Sequence, residues 1–199
     1  MPYRTANYTA FCVEDPETKS NLGCNIAGGL RYLNQLKAWK KTDSSFPFKN
    51  AHDKTCSVRD DSLPTTLMQR LHQRFRMSKN IILFLDYQTK NTKALREEID
   101  YGINYLSLPV IVVYPDYKYN RDIICAFDSK YNPLEDLWNK IPLFKNSMNK
   151  VATTHITFRK GYIAQALNDE RFTVQNKTSP GIYLFYDCQY DCQYDDNDE

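Results

Sequence analysis

A chain of 199 residues, 42% hydrophobic and 14% aromatic, has the material for one globular domain without disulfide or metal staples, which excludes a disordered or disulfide-framework protein. The formal net charge of +2 conceals an acidic end: "DCQYDCQYDDNDE" (187–199) holds six acids and no base, and setting it aside leaves 26 basic residues against 18 acidic, a body of +8. That surplus suits a phosphate-bearing ligand but is too dispersed for a nucleic-acid groove, and the longest apolar runs, "IILFL" and "VIVVY", fall far short of the roughly 20 residues of a membrane span.

The start "MPYRTANYTAF" lacks a basic stretch followed by an uninterrupted apolar one, so a cytoplasmic protein is expected. Six cysteines, Cys12, Cys24, Cys56, Cys125, Cys188 and Cys192, show no Cys-x2-Cys spacing and read as free thiols, with no metal site expected. The tandem "DCQY" of the tail reads as low-complexity; a metal pair from Cys188 and Cys192 is the sharper alternative.

Along the chain, short apolar runs alternate with helical patterns, as in a parallel sheet with helices on both faces. A first strand is read at 3–13, then a helix at 25–41 with Ile26, Leu30, Leu33 and Leu36 at helical spacing, then a second strand "FPFKNAH" at 46–52. A helix follows from Pro64, with Leu67, Leu71 and Phe75 as its buried stripe. "NIILFLD" (80–86), apolar on both faces, is the third and central strand.

The helix containing "KALREEIDYGI" comes next, then a fourth strand "PVIVVY" (109–114) and a polar connection with short helical pieces around "PLEDLWNKI". A fifth strand "ATTHITF" (152–158) precedes a last helix at about 159–168. The aromatic run "GIYLFYD" (181–187) is expected to pack back as an extended segment. These elements predict a three-layer α/β/α sandwich with a five-stranded, mostly parallel sheet, flavodoxin-like. One domain is expected over 1–186, its part 169–186 extended, followed by the acidic tail 187–199. In such folds ligands bind at the carboxyl ends of the strands, beside the point where strand order reverses.

The glutamate doublet is the chemical feature. At about 100° per residue, Leu95, Ile99, Gly102 and Leu106 share one stripe, with Ile103 beside it. Glu97 then points to solvent, whereas Glu98 sits on the shoulder of the stripe between small Ala94 and Gly102, half-buried with open space expected beside it. An ordinary ion pair, with Arg59 or an arginine of the preceding helix, is the alternative role for Glu98. The loops expected to meet it offer Phe11, Cys12, Glu14 and Asp15 after the first strand, and Asn50, His52, Asp53 and Arg59 after the second. Asp86 closes the third strand. An aromatic, basic side chains and hydrogen-bonding groups around one carboxylate could seat a nucleotide. No Ser-His-Asp or Cys-His arrangement and no phosphate-cradling glycine loop is legible; His72 falls on a polar helix face, and His155 alternates inside a strand.

"YRTANYTAF", "FKNAHDKT", "SVRD", "SKNIILFLD" and "LREEI", in this order and spacing, resemble the TIR-like proteins of bacterial antiphage systems, especially the TIR-like subunits of Thoeris defence. The resemblance runs from about residue 3 to 115 and continues more weakly to about 168. It implies an α/β sandwich that cleaves NAD, as substrate and not cofactor, at the nicotinamide-ribose bond, as a glycohydrolase or an ADP-ribosyl cyclase. It further implies an ADP-ribose-derived signal that activates a separate effector, a phage component as trigger, and self-association through the domain. By position Glu98 is the essential glutamate, and Phe11, Cys12, the Asn50 to Arg59 loop and Asp86 would bind the nucleotide. Relatives often carry an aromatic where this chain has Glu97.

The resemblance makes a lone carboxylate intelligible. Glycoside hydrolysis ordinarily needs two, one to protonate the leaving group. Nicotinamide departs as a neutral molecule from a cationic pyridinium, so only the developing sugar cation and the ribose hydroxyls need a partner. Two rivals stand beside this reading: a catalytically silent TIR-like scaffold, and a receiver-type phosphoacceptor domain built on Asp86 with Glu14 and Asp15.

Overall fold

The structure, a computed structural model, describes residues 4–10, 28–51 and 64–185. Strand alternation sets its layers. In β1 (Ala6–Ala10), Ala6, Tyr8 and Ala10 face one layer while Asn7 and Thr9 face the other. The apolar β2 (Ser78–Phe84) and β3 (Val110–Tyr114) are buried on both faces, β4 (Ala152–Thr157) follows, and β5 (Gly181–Tyr183) closes the sheet. All pair in parallel in the order β1-β2-β3-β4-β5, with Tyr8 opposite Ile81, Leu83 opposite Val112 and Val112 opposite His155.

Helices cover both faces. α1 (Gly28–Thr42) and α7 (Lys160–Asn168) lay Tyr32, Leu33, Leu36, Ile163 and Leu167 against Ile82, Phe84, Ile111 and Val113. On the other face lie α2 (Pro64–Met77), α3 (Lys93–Ile99), α4 (Asn120–Asp128), α5 (Leu134–Asn139) and α6 (Pro142–Ser147). The predicted three-layer α/β/α sandwich is what forms. Among the described residues no helix is long and apolar enough to cross a membrane.

The strand membership differs from the sequence-based expectation at both edges. Of the predicted second strand, 46–52, the described residues 46–51 contribute one parallel bridge, Asn7 to Asn50. Its ladder stops because the Asn7 side chain intervenes: Lys49 N donates to Asn7 Oδ1 at 2.8 Å, while Asn7 N donates to Lys49 O at 2.7 Å. Pro47 has no N–H to offer. Phe46 and Phe48 are nevertheless buried, so the segment is held by packing rather than by a ladder. The fifth strand comes instead from the aromatic run, whose Gly181–Tyr183 pairs with β4.

With 46–50 outside β1, the chain runs outward from β1, returns to β2 and then proceeds through β3 to β5. The strand order therefore reverses between β1 and β2, which places the crevice of an open α/β sheet at their carboxyl ends. α3 follows β2 directly. Thr92 caps it, its hydroxyl accepting from Leu95 N at 3.2 Å, and a π-helical stretch, Asp100–Tyr105, continues it.

Candidate functional site

Two elements bring Glu98 to its place. Leu95, Ile99 and Ile103 bury one side of α3 and its π-helical continuation against the sheet, and this seats Glu98 over β1. The expected phase of the helix holds up to that point. The gap expected beside Gly102 does not: a Cβ there would stand 2.5 Å from Ile81 Cδ1 and 2.7 Å from Phe75 Cε1. Gly102 lets the helix approach β2 and α2 closely; the room a side chain would need is already filled. Ala94 is exposed.

The Glu98 carboxyl is held from one side. Tyr8 OH donates to Oε1 at 2.8 Å, and the Tyr8 ring stacks on Phe75 with centroids 3.7 Å apart at 18°. Oε2 is shut off from solvent and has no hydrogen-bond partner among the described residues. Burial therefore pushes the Glu98 pKa from 4.5 up to about 7, against the opposing pull of the Tyr8 hydrogen bond and the Arg74 charge. Arg74 lies on the preceding helix, α2, where the sequence pointed to a basic neighbour. The Tyr8 hydroxyl is itself driven well above the phenol range, first by burial and then by the Glu98 charge, so it stays a donor.

Glu97 goes its own way, pairing with Lys93 at 3.8 Å on the outer side of α3. At 39% side-chain exposure that pair is weak. The doublet is thus one surface acid and one acid withdrawn from water, as the helical wheel predicts.

Asp86 sits at the carboxyl end of β2, buried, with both oxygens engaged. Oδ1 accepts from Thr89 Oγ1 at 2.9 Å and Gln88 N at 3.0 Å, and Oδ2 accepts from Tyr32 OH at 2.9 Å, with Arg31 at 4.0 Å. These bonds tie the turn after β2 to α1. Asn50 is buried at the bridge to β1. Phe11, Cys12, His52, Asp53 and Arg59, with Glu14 and Asp15, lie outside the described residues, as does the Leu67 side chain of the α2 stripe.

Tyr8 is the residue that the sequence pattern left unmarked. Its signal was the alternation of "ANYTA", which puts a lone tyrosine between two alanines on the face that α3 covers. His155, expected to be structural, is buried. Trp138 Nε1 donates to Tyr114 OH at 2.7 Å, which leaves that hydroxyl to donate to His155 Nδ1, also at 2.7 Å; the ring proton then sits on Nε2, which has no partner among the described residues. Burial lowers its pKa to about 3. Among the described residues no group of acids, histidines and cysteines is arranged to hold a metal ion.

A cleft of about 420 Å³, lined by Lys150, Arg171 and Lys177 among others, opens at the other end of the sheet, beside the first residues of β3 and β4. Arg171 is committed to Asp169 at 2.6 Å and Lys150 to Asn104 at 2.9 Å. Size alone does not make it the site: the buried carboxyl and the strand crossover lie elsewhere.

Comparison with known proteins adds the family. A crystal structure of a conserved protein from Enterococcus faecalis V583 matches 83% of this chain and 98% of its own, at 13% identity and a TM-score of 0.46, a likeness too slight to argue from. Residues 27–120 match the family described as "Thoeris protein ThsB, TIR-like domain", a stretch that includes α1, the Asn50 bridge, β2, Asp86 and Glu98 but begins after Tyr8. Over those residues the chain is similar to the TIR-like domain of the Thoeris ThsB type, the same resemblance that the motifs in its sequence carried.

Proposed function

We propose that this protein cleaves NAD at the nicotinamide-ribose bond and that Glu98 is the catalytic carboxylate. The observation that carries the reading is a glutamate in a stretch similar to the ThsB TIR-like domain, its carboxyl withdrawn from water, with one oxygen held by Tyr8 and the other without a partner among the described residues. Native proteins rarely leave a buried polar atom unpaired, and a ligand is one way to complete it. In the bound state Oε2 accepts from the ribose hydroxyls, and the carboxylate charge stabilises the sugar cation that develops as neutral nicotinamide leaves.

The ribosyl cation is then captured by water, by the ligand's own adenine or by another acceptor, giving an ADP-ribose-derived nucleotide. In an antiphage system that nucleotide is the message to a separate effector protein. Phe11, Cys12, Asn50, His52, Asp53, Arg59 and Asp86 remain the proposed nucleotide-binding set. Within it Asp86 acts through the turn it braces, because its oxygens are already used.

Oε2 is closed to solvent, so no substrate reaches it until its surroundings shift. That closure supports a latent enzyme, woken by self-association or by a phage component. It also favours the second reading, a silent TIR-like scaffold. Nicotinamide release from NAD by Glu98→Gln and Glu97→Gln separates the two. A loss of about 100- to 1,000-fold in the first alone is the enzyme's signature; intact defence signalling with Glu98→Gln is the scaffold's.

A further inference from the structure

We infer that Tyr8 is a positioning residue, fixing Glu98 through Oε1 so that Oε2 is the oxygen offered to the ribose. The inference rests on the reading of Glu98 as the catalytic carboxylate. A glutamate has three side-chain torsions, and the last is broad and two-fold, so an unheld carboxylate presents either oxygen in many directions. Here one oxygen is taken, at 2.8 Å, by a donor that does not itself wander. The Tyr8 ring is 1% exposed, sits between Ala6 and Ala10 on its strand face, and lies flat against Phe75. Phe75 in turn fills the space at Gly102, one turn beyond Glu98 on the same helix. The catalytic glutamate and its clamp are therefore gauged against each other through one packed ring.

A pair serving the fold alone would satisfy both carboxylate oxygens, since leaving one unpaired is a cost without a return. Among the described residues Oε1 has a partner and Oε2 has none, and that asymmetry is what assigns Tyr8 to the site. Among the described residues the groups acting electrostatically on Glu98 are Tyr8 from β1 and Arg74 from α2, both favouring its ionised form. On its own helix, Lys93 is paired with Glu97, and Arg96 donates to Asn91 O. In the π-helical stretch Asp100 accepts from Asn104.

The test is Tyr8→Phe, which keeps the ring and its stack and removes one donor, measured beside Glu98→Gln in the full chain under conditions where wild type turns over NAD. Tyr8→Phe is expected to lower kcat by about 10- to 100-fold, the worth of a hydrogen bond to a charged group, with KM little changed. The acid limb of its pH profile moves to higher pH, because a bond favouring the carboxylate is gone. Placing 3-fluorotyrosine at position 8, a stronger donor of the same shape, moves that limb the opposite way and covers the case of a poorly folded Tyr8→Phe. An unmoved limb and unchanged kcat in both position-8 proteins, with Glu98→Gln inactive, overturns the inference and leaves Glu98 standing. Full activity in Glu98→Gln overturns both together.

Discussion

Removing the Glu98 charge should make the protein more stable at alkaline pH, and the structure sets the size and direction of the gain. Glu98 releases its proton at 4.5 in an unfolded chain and at about 7 in the fold, because burial costs its charge more than Tyr8 and Arg74 return. Between those values the native state keeps a proton that the unfolded chain has lost, so stability falls as pH rises. Each pH step across that interval is worth about 1.4 kcal/mol, which makes the full effect about 3 kcal/mol. It is absent below the unfolded value and complete above the folded one. Glu98→Gln cannot ionise. It carries its own penalty, a buried amide with an unpaired N–H, but that penalty does not change with pH.

The quantity to measure is therefore the difference in unfolding free energy between wild type and Glu98→Gln, by urea denaturation at intervals from about pH 4.5 to pH 8. His155 titrates in both proteins and cancels. The difference should move in favour of the variant by about 3 kcal/mol across the window, most steeply between about pH 5 and 7. A flat difference would refute the claim that the carboxyl is desolvated in the fold, and with it the physical basis for a primed Glu98.

Two further substitutions follow from the packing. Gly102→Ala should destabilise by about 1–3 kcal/mol despite the better helix propensity of alanine, because its methyl would collide with Ile81 and Phe75; a rise in Tm would contradict the packing described. The same collision pushes on the Tyr8 stack, so the variant should lose activity in excess of its loss of fold. Independently, His155 is neutral in the fold, with its pKa lowered to about 3 from the usual 6.5, so the stability it confers is present above 6.5 and lost as pH falls through that range. Wild type should lose up to about 5 kcal/mol on this account between about pH 6.5 and 3, and His155→Gln, though less stable at neutral pH, should show a flatter acid profile; parallel profiles would show that the histidine is not desolvated.

How far the sequence carried the structure depended on which interactions were local. β2 and β3 were legible because runs such as "IILF" and "VIVV" are too short for a buried helix and rich in β-branched residues, which favours a strand buried on both faces. α1 and α2 announced themselves by the spacing of their apolar residues, although Leu30, placed in the α1 stripe, is exposed. The segment 46–52 misled because its aromatic alternation is real and its burial is real, while what ends its ladder is the side chain of Asn7, forty-two residues earlier. The π-helical continuation of α3 was likewise invisible, since a pattern of apolar residues does not record whether a turn holds about 3.6 residues or more.

The site divides in the same way. Which of two adjacent glutamates faces inward is a local question, and the helical wheel answered it. What surrounds that glutamate is not local: Tyr8 lies ninety residues away, and the small Gly102 that suggested a gap is small because Phe75 and Ile81 already occupy the space. A glycine beside a candidate catalytic residue signals close approach as readily as a cavity, and only the neighbouring elements decide which.

In the proposed function Glu98 makes a nucleotide signal and Glu97 does not. Mass spectrometry of nucleotides from cells expressing wild type, Glu98→Gln or Glu97→Gln, with and without phage infection, tests it most directly. An ADP-ribose-derived species and free nicotinamide should rise on infection in wild type and Glu97→Gln and be absent in Glu98→Gln. The same species at wild-type level in Glu98→Gln would contradict it.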